Sequence, residues 1–244
     1  MFQVAKQTKV FQDVVDQIQE AILDGRIKTG ELLPAERELK EMFSISRGTL
    51  REALRVLEHK GLIEIKLGVG GGSMVKAVDT HQISESLGLL IRTQKVSLNH
   101  LAEFREDVEG IVAAHAADRH TGEDIQMLKQ LLETAQECVH EGSSHRNLFI
   151  EIDKKIHMTM AEITCNPIYI SVLHSIHDNI HKYYDRFLSM EQPEIQENYQ
   201  DLCDIIQAIE KSQAERSRKL AQNHVKRFNR YMKKREEQET VLKL

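Results

Sequence analysis

The sequence has few of the features that secreted, membrane-spanning or disulfide-stabilised proteins require. It contains no tryptophan, three prolines and three cysteines in 244 residues. The cysteines are odd in number and widely spaced, which argues against a disulfide framework or a zinc ribbon. No apolar run approaches the length of a bilayer span, and residues 1–9 lack the apolar segment of a signal peptide. We therefore expect a largely helical, cytoplasmic protein with no membrane partner.

Residues 34–78 carry the full pattern of a winged helix-turn-helix. An apolar stripe over residues 11–22 predicts a helix that precedes this pattern. A second helix is predicted over residues 34–43. A third begins at Arg47, directly after Ser46, whose hydroxyl suits an N-cap because it can accept a hydrogen bond from the first turn.

The segment after the third helix predicts the wing. Strands are expected over residues 62–67 and 73–78, and the glycine-rich stretch 68–72 provides a tight turn between them. A helix pair followed by a two-stranded wing is typical of DNA-binding domains.

The third predicted helix is amphipathic. Its apolar side chains share one face, whereas Arg47, Arg51 and Arg55 lie one turn apart on another. An exposed helix start that carries arginines suits phosphates and guanine edges in a major groove. Residues 1–79 hold equal numbers of acidic and basic side chains. We therefore expect DNA affinity to depend on this local cluster rather than on a broad basic field.

These residues closely resemble the N-terminal domain of GntR-family bacterial transcription regulators. The resemblance is carried by residues 33–39, 46–54, 57–58 and 60–63. It implies a homodimer that binds a near-palindromic operator in double-stranded DNA. In the family, the matching arginines contact phosphates and bases, the matching threonine contacts the backbone, and the wing glycines enter the minor groove. The candidate DNA-binding residues are Arg37, Ser46, Arg47, Thr49, Arg51, Gly70 and Gly71.

Beyond residue 79 nearly the whole chain is predicted to be helical. The expected helices span residues 80–93, 97–118, 122–140, 144–164, 167–189, 194–211 and 213–236. We expect a DNA-binding domain at 1–78, an all-helical effector-binding and dimerisation domain at 79–236, and a charged tail at 237–244. The fold class is thus mainly α, with a small β-wing followed by an antiparallel helical bundle.

The helical half resembles the FCD domain of the FadR subgroup of that family. Residues 103–105 with Glu109, 153–157, 166–167, 205–209 and His224 carry this resemblance, which is looser than in the first half. It implies a central cavity that binds a small acidic metabolite, often through a divalent metal.

Asp153 and His157 stand four residues apart, so one helical face offers a carboxylate and an imidazole. This pair suits Zn²⁺ or Ni²⁺. The resemblance adds His224 as a third metal ligand. It places a fourth ligand, a histidine, 22 positions earlier, where this chain has Leu202. Three hypotheses stay open: a metal site with three protein ligands, a metal-free cavity, and a substitute ligand from elsewhere.

His174, His177 and His181 are candidates for such a substitute because they share one helix. The apolar stripe of that helix leaves His174 and His181 nearer its rim and His177 at its border. We therefore do not expect these three histidines to be ligands.

Arg105 is the candidate effector-binding residue. It lies on a predominantly apolar helix, where a buried guanidinium needs a partner. The resemblance assigns that partner as the carboxylate of an effector, which suits a bidentate arginine. The alternative is an ion pair with Glu109, one turn later, and the two pairings can alternate.

These observations favour a metabolite-responsive transcription regulator, expected to be a repressor released by a small carboxylate. Alternatives on the same scaffold are a metal-sensing regulator and a fatty-acyl thioester sensor. A metal-dependent hydrolase is disfavoured because no separate base or nucleophile accompanies the expected metal ligands. We therefore expect no enzyme activity.

Overall fold

The computed structural model describes residues 9–66, 68, 71–77, 81–93, 95–188 and 190–241. The chain divides into two compact units, Met1–Gln82 and Ile83–Leu244. Nearly all of the regular structure is helical, and a two-stranded sheet lies in the first unit. The predicted fold class, mainly α with a small wing, is confirmed.

The first unit contains three helices and two strands. They are α1 (Lys9–Leu23), α2 (Glu36–Phe43), α3 (Arg47–His59), β1 (Ile63–Lys66) and β2 (Gly72–Val75). The strands pair antiparallel, with Ile63 opposite Val75 and Lys66 opposite Gly72. Both are shorter than predicted. Part of the expected 62–67 and 73–78 segments, residues 67 and 78, lies outside the described residues.

The turn between α2 and α3 is tight and capped on both sides. Ser44 adopts a left-handed conformation (φ 52°), and its backbone N–H donates to the carbonyl of Glu41 at 3.2 Å. Ser46 then accepts a hydrogen bond from the backbone N–H of Thr49 at 3.1 Å, as predicted for the N-cap. The apolar faces of the three helices meet in one core with β1 and β2, formed by Val14, Val15, Ile18, Leu39, Leu50, Leu54, Leu57, Ile63 and Val75.

The second unit is a helical bundle with its own core. Its helices are α4 (His81–Arg92), α5 (Leu98–Arg119), α6 (Gly122–Glu141), α7 (Arg146–Ile163), α8 (Pro167–Tyr184), α9 (Gln192–Glu210) and α10 (Ala214–Val241). Short 3-10 turns, Gly142–His145 and Asp185–Phe187, follow α6 and α8. Ser97, Thr121 and Asn166 cap α5, α6 and α8 by accepting backbone hydrogen bonds, so the predicted breaks at these residues coincide with real helix starts.

Two predicted helix ends were wrong. The helix expected over 167–189 stops at Tyr184, where a 3-10 turn takes over. At the other end of the chain, α10 continues to Val241, so most of the expected charged tail at 237–244 is helical. Glutamate, lysine and glutamine are good helix formers, and nothing in the sequence stops the helix earlier.

Helix α5 lies against α7, α8, α9 and α10 and so forms the centre of the bundle. Gly110 allows its close approach to α10: a Cβ atom at this position would lie 2.5 Å from Cγ of Gln222 and 3.3 Å from the carbonyl of Arg218. Nearby, the hydroxyl of Ser217 donates to the carbonyl of Ala113 at 3.1 Å. Side chains that point inward from α5 therefore meet those of several neighbouring helices.

Within the described part of the chain, every helix is too short or too polar to cross a membrane.

Candidate functional site

The first unit carries an arginine cluster at the start of α3. Arg51 Nε lies 3.1 Å from Glu36 Oε2, and Arg47 Nε lies 3.5 Å from the same oxygen. The arginine side chains remain 56% and 70% exposed. Because both contacts use Nε, the Nη donors of each guanidinium are left for a ligand. Glu36 thus holds two exposed arginines side by side.

The other predicted DNA-binding residues lie around this cluster. The hydroxyl groups of Ser46 and Thr49 form a hydrogen bond with each other at 2.8 Å. Arg37 is almost fully exposed and lies 3.7 Å from Glu41. Gly71 donates its backbone N–H to the carbonyl of Gly68. Gly70, the other predicted wing glycine, lies outside the described residues.

A groove of about 470 Å³ joins the start of α3 to the wing. Arg47, Arg51, Glu36, Lys66 and Gly71 are among the residues that line it. The structure therefore brings together, on one surface, residues that the sequence placed in three separate segments. Sequence reasoning did not single out Glu36, although it lies directly before Arg37 in the family motif.

The second unit holds a cluster of buried ionisable side chains. Asp153 and His157 come from α7, His224 from α10, and each is at most 6% exposed. His157 Nε2 and His224 Nε2 lie 3.0 Å apart. Asp153 Oδ1 lies 3.5 Å from His224 Nε2, and Asp153 Oδ2 lies 3.8 Å from His157 Nε2. The three residues named from the sequence thus converge on one point.

This group fits a divalent transition metal. One carboxylate and two imidazole nitrogens lie within 4.8 Å of one another, and Asp153 Oδ1 is a buried oxygen with no hydrogen-bond partner. Two imidazoles and a carboxylate form a ligand set that Zn²⁺ accepts, with a further coordination position left for water or a ligand. Leu202, which stands where a fourth ligand was expected, is fully buried.

The charges of these side chains depend strongly on one another. Burial alone would raise the pKa of Asp153, but its close contact with His224 and the nearby His157 lower that pKa to about 2. Burial lowers the pKa of His224, but Asp153 and Asp201 outweigh it and raise the pKa to about 9. Asp153 and His224 therefore stabilise each other's charged form.

Glu109 forms the centre of an adjoining cluster. Its Oε1 accepts a hydrogen bond from Arg105 Nε at 2.5 Å and lies 3.3 Å from His177 Nε2. Its Oε2 lies 2.5 Å from His157 Nδ1. Burial raises the pKa of Glu109, but the charges of Arg105, His157 and His177 lower it well below its usual value. Glu109 is consequently a carboxylate anion with three partners.

The sequence left two partners open for Arg105, the carboxylate of an effector and Glu109. In this structure, Arg105 pairs with Glu109. Arg105 is only 2% exposed, and its guanidinium also lies over the ring of Phe228, 5.6 Å from the centroid. Glu109, His157 and His177 could also hold a metal by distance. The guanidinium on Glu109 opposes a second cation there, so we interpret this group as a cluster of close electrostatic contacts around Glu109.

His177 is the site residue that sequence reasoning undervalued. It is 3% exposed, whereas His174 and His181 are both half-buried. Burial and the charge of Arg105 lower the pKa of His177 to about 4, so this ring is neutral at neutral pH. Its position four residues after Leu173 and one after Ile176, both buried, was the available signal. It does not join Asp153 and His224 as a ligand.

Two protein-family profiles match the chain. The profile of the family described as bacterial regulatory proteins, gntR family, matches residues 11–71. The profile of the FCD domain matches residues 100–227, just over half of the chain.

Two curated relatives are HTH-type transcriptional repressors called NanR. The protein of Enterobacter sp. (strain 638) is 32% identical over 161 residues, which are 65% of this chain and 60% of the relative. The protein of Salmonella newport (strain SL254) is 31% identical over 166 residues, which are 67% of this chain and 62% of the relative. The match thus spans less than two thirds of the length of either relative.

A solved structure described as Streptococcus agalactiae GntR shares the fold. It superposes with a TM-score of 0.71 at 23% identity, covering 90% of this chain and 99% of that chain.

Proposed function

Because this chain belongs to the gntR family of bacterial regulatory proteins and carries an FCD domain, we propose that it is a DNA-binding transcription repressor that responds to a small metabolite. The family consists of regulators rather than enzymes, so we assign the buried cluster to ligand sensing and not to catalysis. The convergence of Asp153, His157 and His224 on one point of the helical unit carries the metabolite-sensing part of this proposal.

For operator recognition, we assign the base and phosphate contacts to the surface around α3 and the wing. The exposed guanidinium groups of Arg47 and Arg51 are suited to guanine edges and phosphates. The capped first turn of α3 presents Thr49 and its backbone to the DNA backbone. We assign Arg37, Ser46, Gly70 and Gly71 to the same surface on the basis of the family motif.

For effector recognition, we assign Asp153, His157 and His224 as ligands of one divalent ion, Zn²⁺ or Ni²⁺. When bound, the ion supplies a Lewis-acidic positive charge that attracts a carboxylate. Arg105 is the proposed second anchor for the effector, in exchange for its pairing with Glu109. Leu202 puts a buried apolar side chain where a fourth ligand was expected, which suits a small carboxylate with an apolar portion.

We further propose that the chain works as a homodimer in the cytoplasm. A dimer presents two copies of α3 to successive major grooves of a near-palindromic operator. Several large apolar side chains of α4 are exposed, including Ile83, Leu89 and Leu90, and are available to be covered in an assembly. An effector changes DNA affinity only if it prefers one arrangement of the protein over another.

The decisive experiment uses the untagged full-length protein, prepared without chelators or nickel resin. Operator sequences are selected from random DNA, and affinity is then measured by fluorescence anisotropy with and without Zn²⁺ and a panel of small carboxylates. The proposal requires selection of a near-palindromic site and weaker binding when metal and carboxylate are present together. Selection of no sequence would overturn it. A change caused by metal alone would make the ion the signal.

A further inference from the structure

Each of the two histidines of the proposed metal site has a carboxylate next to its Nδ1 atom, on the side of the ring away from the site. His157 Nδ1 faces Glu109 Oε2 at 2.5 Å, and His224 Nδ1 faces Asp201 Oδ2 at 3.6 Å. The opposite ring nitrogens, both Nε2, face each other and Asp153. The two rings therefore have the same orientation relative to the site, although they come from α7 and α10.

This orientation determines which nitrogen can bind a metal. A neutral imidazole carries one proton, and the nitrogen without it is the ligand. A carboxylate anion can only accept a hydrogen bond, so it selects the tautomer with the proton on Nδ1 and the lone pair on Nε2. Glu109 is an anion that is 1% exposed, with its other oxygen held by Arg105. It therefore cannot turn away from His157 without breaking that ion pair.

Asp201 has the equivalent relation to His224. Its Oδ1 is held by Arg227 Nη1 at 3.0 Å, which leaves Oδ2 towards the ring. The separation of 3.6 Å is longer than a hydrogen bond, and both Asp201 Oδ2 and His224 Nδ1 are buried atoms without a hydrogen-bond partner. A shift of under one ångström would complete this bond.

Asp201 also bears on the missing fourth ligand. It immediately precedes Leu202 on α9, the helix from which that ligand was expected. Helix α9 thus contributes a carboxylate behind a ligand rather than a ligand itself. A site with three protein ligands depends more on how well each one is oriented, and such outer carboxylates typically change metal affinity 10–100-fold.

We propose that Glu109 and Asp201 are positioning residues that fix His157 and His224 in the Nδ1–H tautomer and so direct both Nε2 atoms into one metal site. This inference rests on the proposed metal site but extends it to two residues that are not ligands. It assigns to Glu109 a second partner besides Arg105. It also explains how the site can retain a metal with Leu202 in the fourth position.

The test compares two isosteric variants with two matched controls in the full-length protein. Glu109→Gln and Asp201→Asn remove the carboxylate charge and leave Asp153, His157 and His224 in place. Glu106→Gln and Asp204→Asn make the same chemical changes on the same helices, at side chains that bond to Lys226 and Gln200 instead. Zn²⁺ affinity is measured by competition with a chromophoric chelator. Each positioning variant should bind about 10–100-fold more weakly, and each control should stay within about threefold of wild type.

A second measurement does not depend on metal. Two-dimensional ¹⁵N spectra of the imidazole rings in metal-free protein report which nitrogen carries the proton. We expect Nδ1–H for His157, and loss of that signature in Glu109→Gln but not in Glu106→Gln. If the wild-type protein binds no metal but shows this tautomer, the proposed metal site is wrong. The effect of Glu109 on the orientation of His157 would still be supported.

Unchanged Zn²⁺ affinity in folded positioning variants would overturn the proposal, as would an Nε2–H tautomer of His157 in wild type. Glu109→Gln leaves Arg105 buried without its partner, so it can fail to fold. Asp201 is 17% exposed, and Asp201→Asn keeps a side chain of the same shape. If Glu109→Gln does not fold, the Zn²⁺ affinities of Asp201→Asn and Asp204→Asn test the proposal.

Discussion

The Nε2 atoms of His157 and His224 lie 3.0 Å apart in the interior of the helical unit. Two lone pairs this close repel each other unless a cation or a shared proton lies between them. On a tetrahedral Zn²⁺, with bonds of about 2.0–2.1 Å, two nitrogen ligands lie roughly 3.3 Å apart. The pair is therefore within a few tenths of an ångström of the separation that a metal site needs.

Replacing both Asp153 and His157 by alanine should abolish the effector response without loss of operator binding. The change removes two of the three proposed metal ligands in the helical unit, whereas α3 and the wing belong to the other unit. Anisotropy titrations with and without Zn²⁺ and carboxylate measure both properties. His174→Ala, on the neighbouring helix α8, is the control and should respond like wild type. A double variant that still releases DNA would place the effector site elsewhere.

Arg51→Ala should weaken operator binding by about 1–3 kcal/mol if its guanidinium reads a base. Arg51 is largely exposed, so helix content and unfolding temperature should change little. Operator titrations and circular dichroism test the two halves of this prediction. Arg216→Ala removes the same charge from an exposed position on α10 and should leave DNA affinity unchanged. If the two variants bind the operator with equal affinity, Arg51 does not contact the DNA bases.

Glu36→Gln should reduce the discrimination between operator and random DNA. Glu36 holds Arg47 and Arg51 side by side, and its negative charge opposes non-specific attraction to phosphates. Without that charge, we expect binding to random DNA to strengthen and the affinity ratio to fall by up to about fivefold, since exposed ion pairs contribute up to about 1 kcal/mol. Parallel titrations at several salt concentrations measure it. Glu41→Gln, beside Arg37, provides a comparison. An unchanged ratio would contradict the role of Glu36.

The metal-free protein should lose stability as the pH falls from about 6.5 towards 4, in part through His177. Its pKa is lowered from the usual 6.5 to about 4 in the folded state. The unfolded chain therefore takes up this proton first, so the contribution is present above pH 6.5 and is lost as the pH falls through about 4. Each pKa unit corresponds to about 1.4 kcal/mol.

Urea unfolding at pH 7 and pH 5 measures this loss. In His177→Gln, which cannot titrate, the free energy of unfolding should fall less between the two values. His174→Gln makes the same change on the same helix and should behave like wild type. If the free energy of unfolding falls equally between pH 7 and pH 5 in all three proteins, His177 does not contribute to the pH dependence.

Gly110→Ala should destabilise the helical unit by about 1–3 kcal/mol, the usual cost of overpacking. A methyl group there would lie 2.5 Å from Cγ of Gln222 and 3.3 Å from the carbonyl of Arg218. This cost competes with the gain of about 1 kcal/mol from better helix propensity. Gly122→Ala is a matched control because its methyl group would meet nothing within 4 Å. Chemical denaturation should show a loss for the first and no loss for the second.

The sequence alone was sufficient to predict the elements and the family. Helix periods, capping residues such as Ser46, Ser97 and Thr121, and the breaks between helices are local properties, so they can be read along the chain. The pair Asp153 and His157 was readable for the same reason, since one helical turn places both on one face. The ends of α8 and α10 were not readable: α8 stops at Tyr184, before its predicted end, and α10 continues to Val241, past its predicted end.

The tertiary structure decided which side chains meet. Glu36 and Arg51 are 15 residues apart on different helices, and His157 and His224 are 67 apart. No local pattern relates such positions; only the packing of α5, α7, α8 and α10 brings Glu109 to His157 and carries His177 inward. The sequence determined which chemical groups are present and on which face of each helix they lie. The packing of the helices determined their partners, and through burial and neighbouring charge it also determined their pKa values.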